Sequence, residues 1–331
     1  MIRKVFILYI LVVGFYTISC FAQQHRLVLV KSFPDLESEE AGNYLAHPYD
    51  IAFYKNTYIV TDATECCLKV FSTDGKLIRT IGSRGGGPGE LSDPFLVAVD
   101  ETKGNIYCVD SGNNRISCFN NKGIFLNIIR TSLPISDIEF IDKYIYTAAY
   151  NQETQSLFCM YDTTGRIVKF FGDFFDPKIN KLPLSSFVYS SIYLSSYNDS
   201  LYAFFEKLPI IQVYDKGGHL IRTINIRIKK IKNIYKENLR NGRGFVEENK
   251  IKLKSWIFGA CVEDNKLYCY CRWIFDKMLV LDLSGNLIEK IPLVLKNPGE
   301  KYRAERFIKK VGNNFIFLDI FYSQIKVYQL R

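Results

Sequence analysis

The stretch Ile81-Gly82-Ser83-Arg84-Gly85-Gly86-Gly87-Pro88-Gly89-Glu90-Leu91-Ser92-Asp93-Pro94 decides the reading of this chain. Three successive glycines and a Gly-Pro-Gly turn permit backbone angles closed to other residues. Such a run is not the interior of a strand or a helix. Before it, Lys76-Leu77-Ile78-Arg79-Thr80-Ile81 has strand character, and after it Phe95-Leu96-Val97-Ala98-Val99 does too. An extended turn therefore joins the end of one β-rich unit to the start of the next.

Units of this kind recur. Ser72-Thr73-Asp74-Gly75 follows Lys69-Val70-Phe71, and Asn120-Asn121-Lys122-Gly123 follows Ser117-Cys118-Phe119. Asp162-Thr163-Thr164-Gly165, Asp215-Lys216-Gly217-Gly218 and Asp282-Leu283-Ser284-Gly285 stand in the same relation to the strand-like runs before them. After each turn an apolar pair resumes: Leu77-Ile78, Phe125-Leu126, Ile167-Val168, Leu220-Ile221 and Leu287-Ile288. The turn glycines lie 48, 42, 53 and 67 residues apart. A near-constant unit with insertions of variable length is the pattern of propeller blades. A sixth unit begins near Arg306-Phe307-Ile308 and ends at Arg331 with three strands. Its missing strand has a donor in residues 26–33, because a ring must leave no bare edge. The expectation is an all-β, six-bladed antiparallel β-propeller, closed by pairing of 26–33 with about 324–329.

Residues 1–22 read as an export signal: Arg3 and Lys4, then the apolar run Val5–Val13, too short to span a membrane. Cleavage after Ala22 and lipidation of Cys20, in Thr17-Ile18-Ser19-Cys20, are both open. The propeller is expected over 23–331, and hydrophobic residues at 48% with aromatics at 15% suit a β-rich core. The place implied is the periplasm or the outer membrane.

Blade two carries a more specific signal. Asp93-Pro94-Phe95-Leu96-Val97-Ala98-Val99-Asp100, then Gly104-Asn105-Ile106-Tyr107-Cys108-Val109-Asp110-Ser111-Gly112-Asn113-Asn114-Arg115-Ile116, resembles an NHL repeat. The chain as a whole resembles the exported six-bladed propellers of Gram-negative bacteria that carry such repeats. The later blades match only in strand rhythm and turn glycine.

Let the strands of a blade be a to d from the axis outwards. The c–d turns are short and share one face. The d–a connections (34–47, 82–93, about 172–189, about 225–254 and about 293–302) share the other, which is the expected working surface. Charge points the same way. The chain has a net charge of +9, and segment 222–254 holds eleven Lys or Arg against three Glu. With the signal's two cations, that segment accounts for all of the net positive charge. Lys229, Lys230, Lys232 and Lys236 form its basic patch. It is expected to meet an anionic glycan, lipid headgroup or acidic protein, or else to be a solvated excursion. Export makes nucleic acid an unsuitable partner.

Only three histidines exist, and His25, His47 and His219 are too dispersed for a three-histidine zinc site of the amidating-lyase type of NHL propeller. Asp50, Asp93 and Asp137 stand near the starts of axial strands, where lactonase and arylesterase propellers hold calcium. Asp is also a common turn former there. His47, Tyr49, Arg84, Trp256 and Arg303 complete the candidate rim, with residue types suited to sugar or peptide contact. No catalytic residue is identifiable. The cysteines Cys66, Cys67, Cys108, Cys118, Cys261, Cys269 and Cys271 lack zinc-ribbon spacing. An oxidising compartment leaves disulfides open for them, while Cys108 and Cys118, standing where repeats of the NHL type carry Val, are expected as buried free thiols. The expected function is a monomeric, non-enzymatic binding or scaffold propeller for an envelope protein, peptide or glycan. It needs no cofactor and meets a membrane only through a lipid anchor. The alternative is a calcium-dependent lactonase or esterase-like hydrolase in the axial channel.

Overall fold

The computed structural model describes residues 25–34, 43–180, 185–248, 253–294 and 305–331. The first strand is β1 (Leu27–Phe33). Blade one follows as β2 (Pro48–Tyr54), β3 (Thr57–Asp62), β4 (Cys67–Ser72) and β5 (Leu77–Ile81). Blade two is β6 (Pro94–Val99), β7 (Ile106–Asp110), β8 (Arg115–Phe119) and β9 (Phe125–Arg130). Blade three is β10 (Asp137–Ile141), β11 (Tyr144–Asn151), β12 (Ser156–Asp162) and β13 (Ile167–Asp173). Blade four is β14 (Ile192–Tyr197), β15 (Ser200–Phe205), β16 (Ile210–Asp215) and β17 (Leu220–Asn225). Blade five is β18 (Ala260–Glu263), β19 (Lys266–Cys271), β20 (Lys277–Asp282) and β21 (Leu287–Val294). Blade six has β22 (Glu305–Val311), β23 (Asn314–Asp319) and β24 (Gln324–Leu330). Neighbouring strands within every blade are antiparallel, and the first strands of successive blades pack around the axis.

Strand β1 lies antiparallel along β24, from Leu27 opposite Leu330 to Phe33 opposite Ile325. Its start also pairs in parallel with β21, joining blades five and six into one sheet.

The c–d turns explain how one blade holds the next. The turn glycines Gly75, Gly123, Gly165, Gly218 and Gly285 all have φ between 73° and 96°, a region costly for a side chain. In four of the turns an Asp or Asn oxygen gathers the backbone N–H groups that follow it: Asn120, Asp162, Asp215 and Asp282. There is no space for a Cβ either. At Gly75 it would lie 2.8 Å from Phe33, and at Gly123 2.8 Å from Ile81. The corresponding neighbours of Gly165, Gly218 and Gly285 are Ile129, Phe171 and Ile224. Each is a buried residue of the preceding blade's outermost strand. Two residues earlier on those strands, a polar side chain holds the same turn. Lys31 donates to Thr73 O at 2.6 Å, Arg79 to Asn121 O at 2.6 Å, Asn127 to Thr163 O at 3.2 Å, and Lys169 to Gly217 O at 3.1 Å. Residues two apart on a strand share a face, so a polar clasp and an apolar plug come as a pair. Lys31 and Phe33 give β1 the same relation to blade one that β5 has to blade two.

The core lies between the blades and is rich in aromatic rings. Phe158, Phe171 and Tyr214 pack edge-on or tilted with centroids 5.1–5.3 Å apart. Eight cysteines from Cys66 to Cys271 are free and buried. Burial pushes the Cys67 and Cys118 thiols up to about 12, so they stay protonated and unreactive.

Candidate functional site

Two parts of the molecule carry the candidate residues: the axial channel and the face bearing the d–a connections. Along the channel, alternate residues of the six inner strands point at the axis. Asp50, Asp137, Tyr193 and Arg306 line its d–a end, and Glu139, Lys309 and Glu101 line the opposite end. Glu139 is two positions beyond Asp137 on the same strand, about 7 Å deeper.

The upper carboxylates are built into the ring. Val97 N–H donates to Asp50 at 3.0 Å, and Leu194 N–H donates to Asp137 at 2.8 Å. Each carboxylate therefore reaches from its own inner strand to the next blade's. Val262 N–H donates to Ser195 at 3.1 Å in the same manner. Burial pushes the Asp50 and Asp137 carboxyls up, and the Arg306 guanidinium opposes this. Burial alone would lower the Arg306 pKa, but Asp50, Tyr193 and Asp137 outweigh it and raise it. Arg306 lies over the Tyr193 ring at 5.2 Å and donates to Tyr49 O at 3.4 Å. Its Nε–H is buried with no hydrogen-bond partner among the described residues. Deeper in, burial raises Glu139 to about 7 against the pull of Lys309, while Ser196 donates to it at 3.0 Å. Lys309 also pairs with Glu101 at 3.4 Å. The cavity between these groups is about 90 Å³, room for about three waters and well below the volume that drug-sized ligands occupy.

The other sequence candidates separate. His47 and Tyr49 pack on each other at the start of β2, their rings 4.8 Å apart, with Phe95 4.6 Å beyond Tyr49, and neither lines the channel cavity. Asp93 is not in the channel wall. It belongs to the glycine-rich loop, where its N–H donates to Asp110 at 3.1 Å. Arg84 is also away from the axis and donates to Thr64 O at 2.7 Å. Asp50, Asp93 and Asp137 therefore do not share one site, and no group of three or more His, Cys, Asp or Glu among the described residues is arranged to hold a metal ion. Trp256 is a core residue rather than a rim one. It is buried, and its indole N–H serves the carbonyls of Phe205 and Leu208, both at 2.8 Å. Arg303 and Cys20 lie outside the described residues.

The glycine-rich loop is held by blade two's b–c corner. Arg115 donates to Asp110 at 3.1 Å and to the carbonyls of Gly86, Gly87 and Glu90 at 2.7–3.1 Å. Asn113 donates to Gly85 O at 3.0 Å, and Ser92 N–H to Asp110 at 2.9 Å. The glycines let the loop turn its carbonyls inward, which explains why side chains are missing there. Blades one and six have the same corner with lysine. Lys69 pairs with Asp62 at 3.6 Å and donates to Tyr44 O at 2.6 Å, and Lys326 pairs with Asp319 at 2.8 Å. The acidic residue closing the b strands of blades one, two and six (Asp62, Asp110 and Asp319) could have signalled these pairs.

On the d–a face, the basic insertion forms the helix Lys229–Glu248. Ile231, Ile234 and Asn238 are buried beneath it. Asn238 donates to Lys254 O at 2.9 Å and accepts from Lys254 N–H at 2.8 Å, and the Tyr235 hydroxyl donates to Asp176. Lys229, Lys232, Lys236 and Arg240, spaced for one helical face, are exposed. Lys230 differs: it donates to Ile274 O and lies 4.9 Å from the Phe275 ring centroid. Between the helix and blade five is a concavity of about 550 Å³ lined by residues including Ile234, Leu253, Lys254 and Phe258.

No curated protein resembles the chain significantly in sequence. Among solved structures, it resembles a candidate exported protein of Bacteroides fragilis, with a TM-score of 0.62, 13% identity, and coverage of 93% of this chain and 95% of that one. A DUF4221-family member from Bacteroides vulgatus aligns with a TM-score of 0.57 and 12% identity, over 93% and 98% of the two chains. Virginiamycin B lyase from Staphylococcus aureus aligns with a TM-score of 0.54 and 12% identity, over 93% and 100%. At such identities the likeness is one of fold. Residues 31–238 match the DUF5128 family, described as a 6-bladed beta-propeller, and the chain belongs to that family.

Proposed function

We propose that this chain is a non-enzymatic, monomeric binding or scaffold propeller of the cell envelope. Its d–a face recognises a glycan, peptide or protein of anionic character. The observation that carries this reading is the anchored helix Lys229–Glu248. Ile231, Ile234 and Asn238 fix it to the ring, so that Lys229, Lys232 and Lys236 are presented on a rigid support. The apparent export signal over 1–22 supports an envelope location in the periplasm or at the outer membrane. The Asp110–Asn113–Arg115 corner supports an NHL-like reading of blade two. A calcium-dependent hydrolase in the channel is less well supported. Arg306 already supplies the positive charge beside Asp50 and Asp137, and a cavity of about 90 Å³ does not admit a lactone with room to react.

Capture from envelope extracts tests the proposal, using wild type and a Lys229→Ser/Lys232→Ser/Lys236→Ser variant. A glycan or protein retained by wild type at low salt should be released at high salt, because exposed charges are screened over about 8 Å at physiological ionic strength. The variant should retain it at least tenfold less, with thermal stability unchanged. Equal retention by both proteins would reduce the helix to a solvated excursion and defeat the proposal.

A further inference from the structure

Half of the large exposed apolar side chains among the described residues belong to one structural position. Val30, Ile78, Leu126, Val168, Ile221 and Ile288 are each between 38% and 56% exposed. One comes from the outermost strand of each blade. Each stands three residues before a buried plug residue (Phe33, Ile81, Ile129, Phe171, Ile224 and Ile291) and so points to the opposite side of its strand. In the five blades with a c–d turn, it also stands three residues after the turn glycine. Ile124, Ile167, Leu220 and Leu287, beside the same tips, are exposed as well. The result is a sixfold apolar ring around the perimeter of the c–d face, opposite the basic helix.

We infer that this ring is a membrane-contact surface, on which the propeller rests with its c–d face toward a lipid leaflet and its d–a face toward its partner. The inference rests on the envelope location proposed above. Three observations favour a bilayer over another occupant. First, the apolar positions recur in every blade. A flat leaflet meets all six blades together. Second, exposed cations stand at the tips beside the apolar residues: Lys76, Lys122, Arg166 and Lys216. Apolar and basic groups together suit an interface with anionic headgroups. Of the acidic groups on this face, Asp162, Asp215 and Asp282 at the tips are engaged with the backbone N–H groups of their own turns, Asp74 is exposed beside Lys31, and Asp100, Glu101, Asp142, Asp199 and Glu263 line a concavity of about 520 Å³ set in from the rim. Third, β1 is antiparallel to β24 and so runs from the c–d face toward the d–a face. Its leading residues, His25 and Arg26, therefore stand at the c–d face. Cys20 is five residues earlier, a reach of at most about 18 Å. A lipid on Cys20 would hold this face, and not the basic one, against the leaflet.

Flotation with vesicles of phosphatidylethanolamine and phosphatidylglycerol (about 3:1) tests the inference. The protein carries Cys20→Ala so that no lipid at that position contributes. The ring-intact protein should float, and Ile78→Ser/Leu126→Ser/Ile221→Ser/Ile288→Ser should lower the bound fraction at least tenfold. The Lys229/Lys232/Lys236 variant should bind vesicles as the ring-intact protein does, which separates this surface from the partner-binding face. Circular dichroism and thermal melting check that the ring variant folds. If it does not, the Ile78→Ser and Ile221→Ser single variants carry the test, each with a two- to fivefold loss. Equal flotation of ring-intact and ring-variant proteins would overturn the inference. So would failure of the ring-intact protein to float, or a ring-dependent dimer in light scattering without vesicle binding.

Discussion

Replacing Arg115 by Leu should uncouple the glycine-rich loop from blade two. The Arg115 side chain is only 6% exposed and that of Asp110 is fully buried. The change removes the cation facing that carboxylate and leaves the carbonyls of Gly86, Gly87 and Glu90 without their donor. Breaking a buried pair by removing one partner costs about 3–5 kcal/mol. At about 2 °C per kcal/mol for a chain of this size, the melting temperature should fall by about 6–10 °C. Adding Asp110→Asn should cost less than the sum of the two single changes, by at least about 1 kcal/mol, because the groups are in direct contact. Two measurements check this. Urea titration gives the stability. Limited trypsin digestion reports the loop, since Arg84 lies exposed within it. Local opening should speed cleavage after Arg84 more than elsewhere. An Arg115→Leu protein within 1 kcal/mol of wild type and no faster to be cut at Arg84 would refute the clamp.

Other outcomes follow from the same structure. Gly75→Val should destabilise the ring by more than about 2 kcal/mol, because φ is +89° and the new Cβ would lie 2.8 Å from Phe33. Gly312→Ala, with φ of +57° and nothing within 4 Å, should cost only about 1 kcal/mol, and urea midpoints of the two variants settle the comparison. Stability should also depend on pH through the channel. Glu139 is raised to about 7 and Asp137 is raised in the same direction, so the folded ring binds protons that the unfolded chain has released. Their contribution is full below the ordinary carboxylate range, is lost as pH rises toward 7, and is constant above it. Urea midpoints at pH 5 and pH 8 should show that decline for wild type, and Glu139→Gln with Asp137→Asn should flatten it. An unchanged slope in the double variant would show that other groups set the pH dependence.

Much of the architecture was legible because its signals are local. A left-handed turn demands glycine wherever it occurs, so Gly75, Gly123, Gly165, Gly218 and Gly285 could be aligned without knowledge of their neighbours. The free, buried state of Cys108 and Cys118 could likewise be read from their standing where repeats of the NHL type carry Val. The site was less legible, and for a physical reason. Asp50, Asp137 and Arg306 come from the first, third and sixth blades and meet only at the axis. Nothing in the sequence around Arg306 distinguishes a channel arginine from a surface one. Trp256 shows the converse. Its residue type suggests a binding surface, but two carbonyls and the seam between blades four and five consume it.

The basic insertion lies between these cases. Its charge was readable as composition, but the effect of that charge depends on register. Ile231, Ile234 and Asn238 face the ring, so Lys229, Lys232 and Lys236 must face solvent, while Lys230, also exposed, leans on blade five through Ile274 O. A shift of one position, about 100° around the helix, would bury the outer cations and expose Ile231. Asn238 prevents it. Its amide donates to Lys254 O and its oxygen accepts from Lys254 N–H, and the pair is satisfied in only one register. Replacing Asn238 with Leu would keep the branched shape and raise the helix propensity but leave the Lys254 backbone groups unpaired, at about 1–3 kcal/mol. It should therefore weaken the docking of the helix more than any single exposed lysine change. Hydrogen exchange over residues 229–240 would report the difference. Protection equal to wild type in Asn238→Leu would mean that Ile231 and Ile234 alone fix the helix.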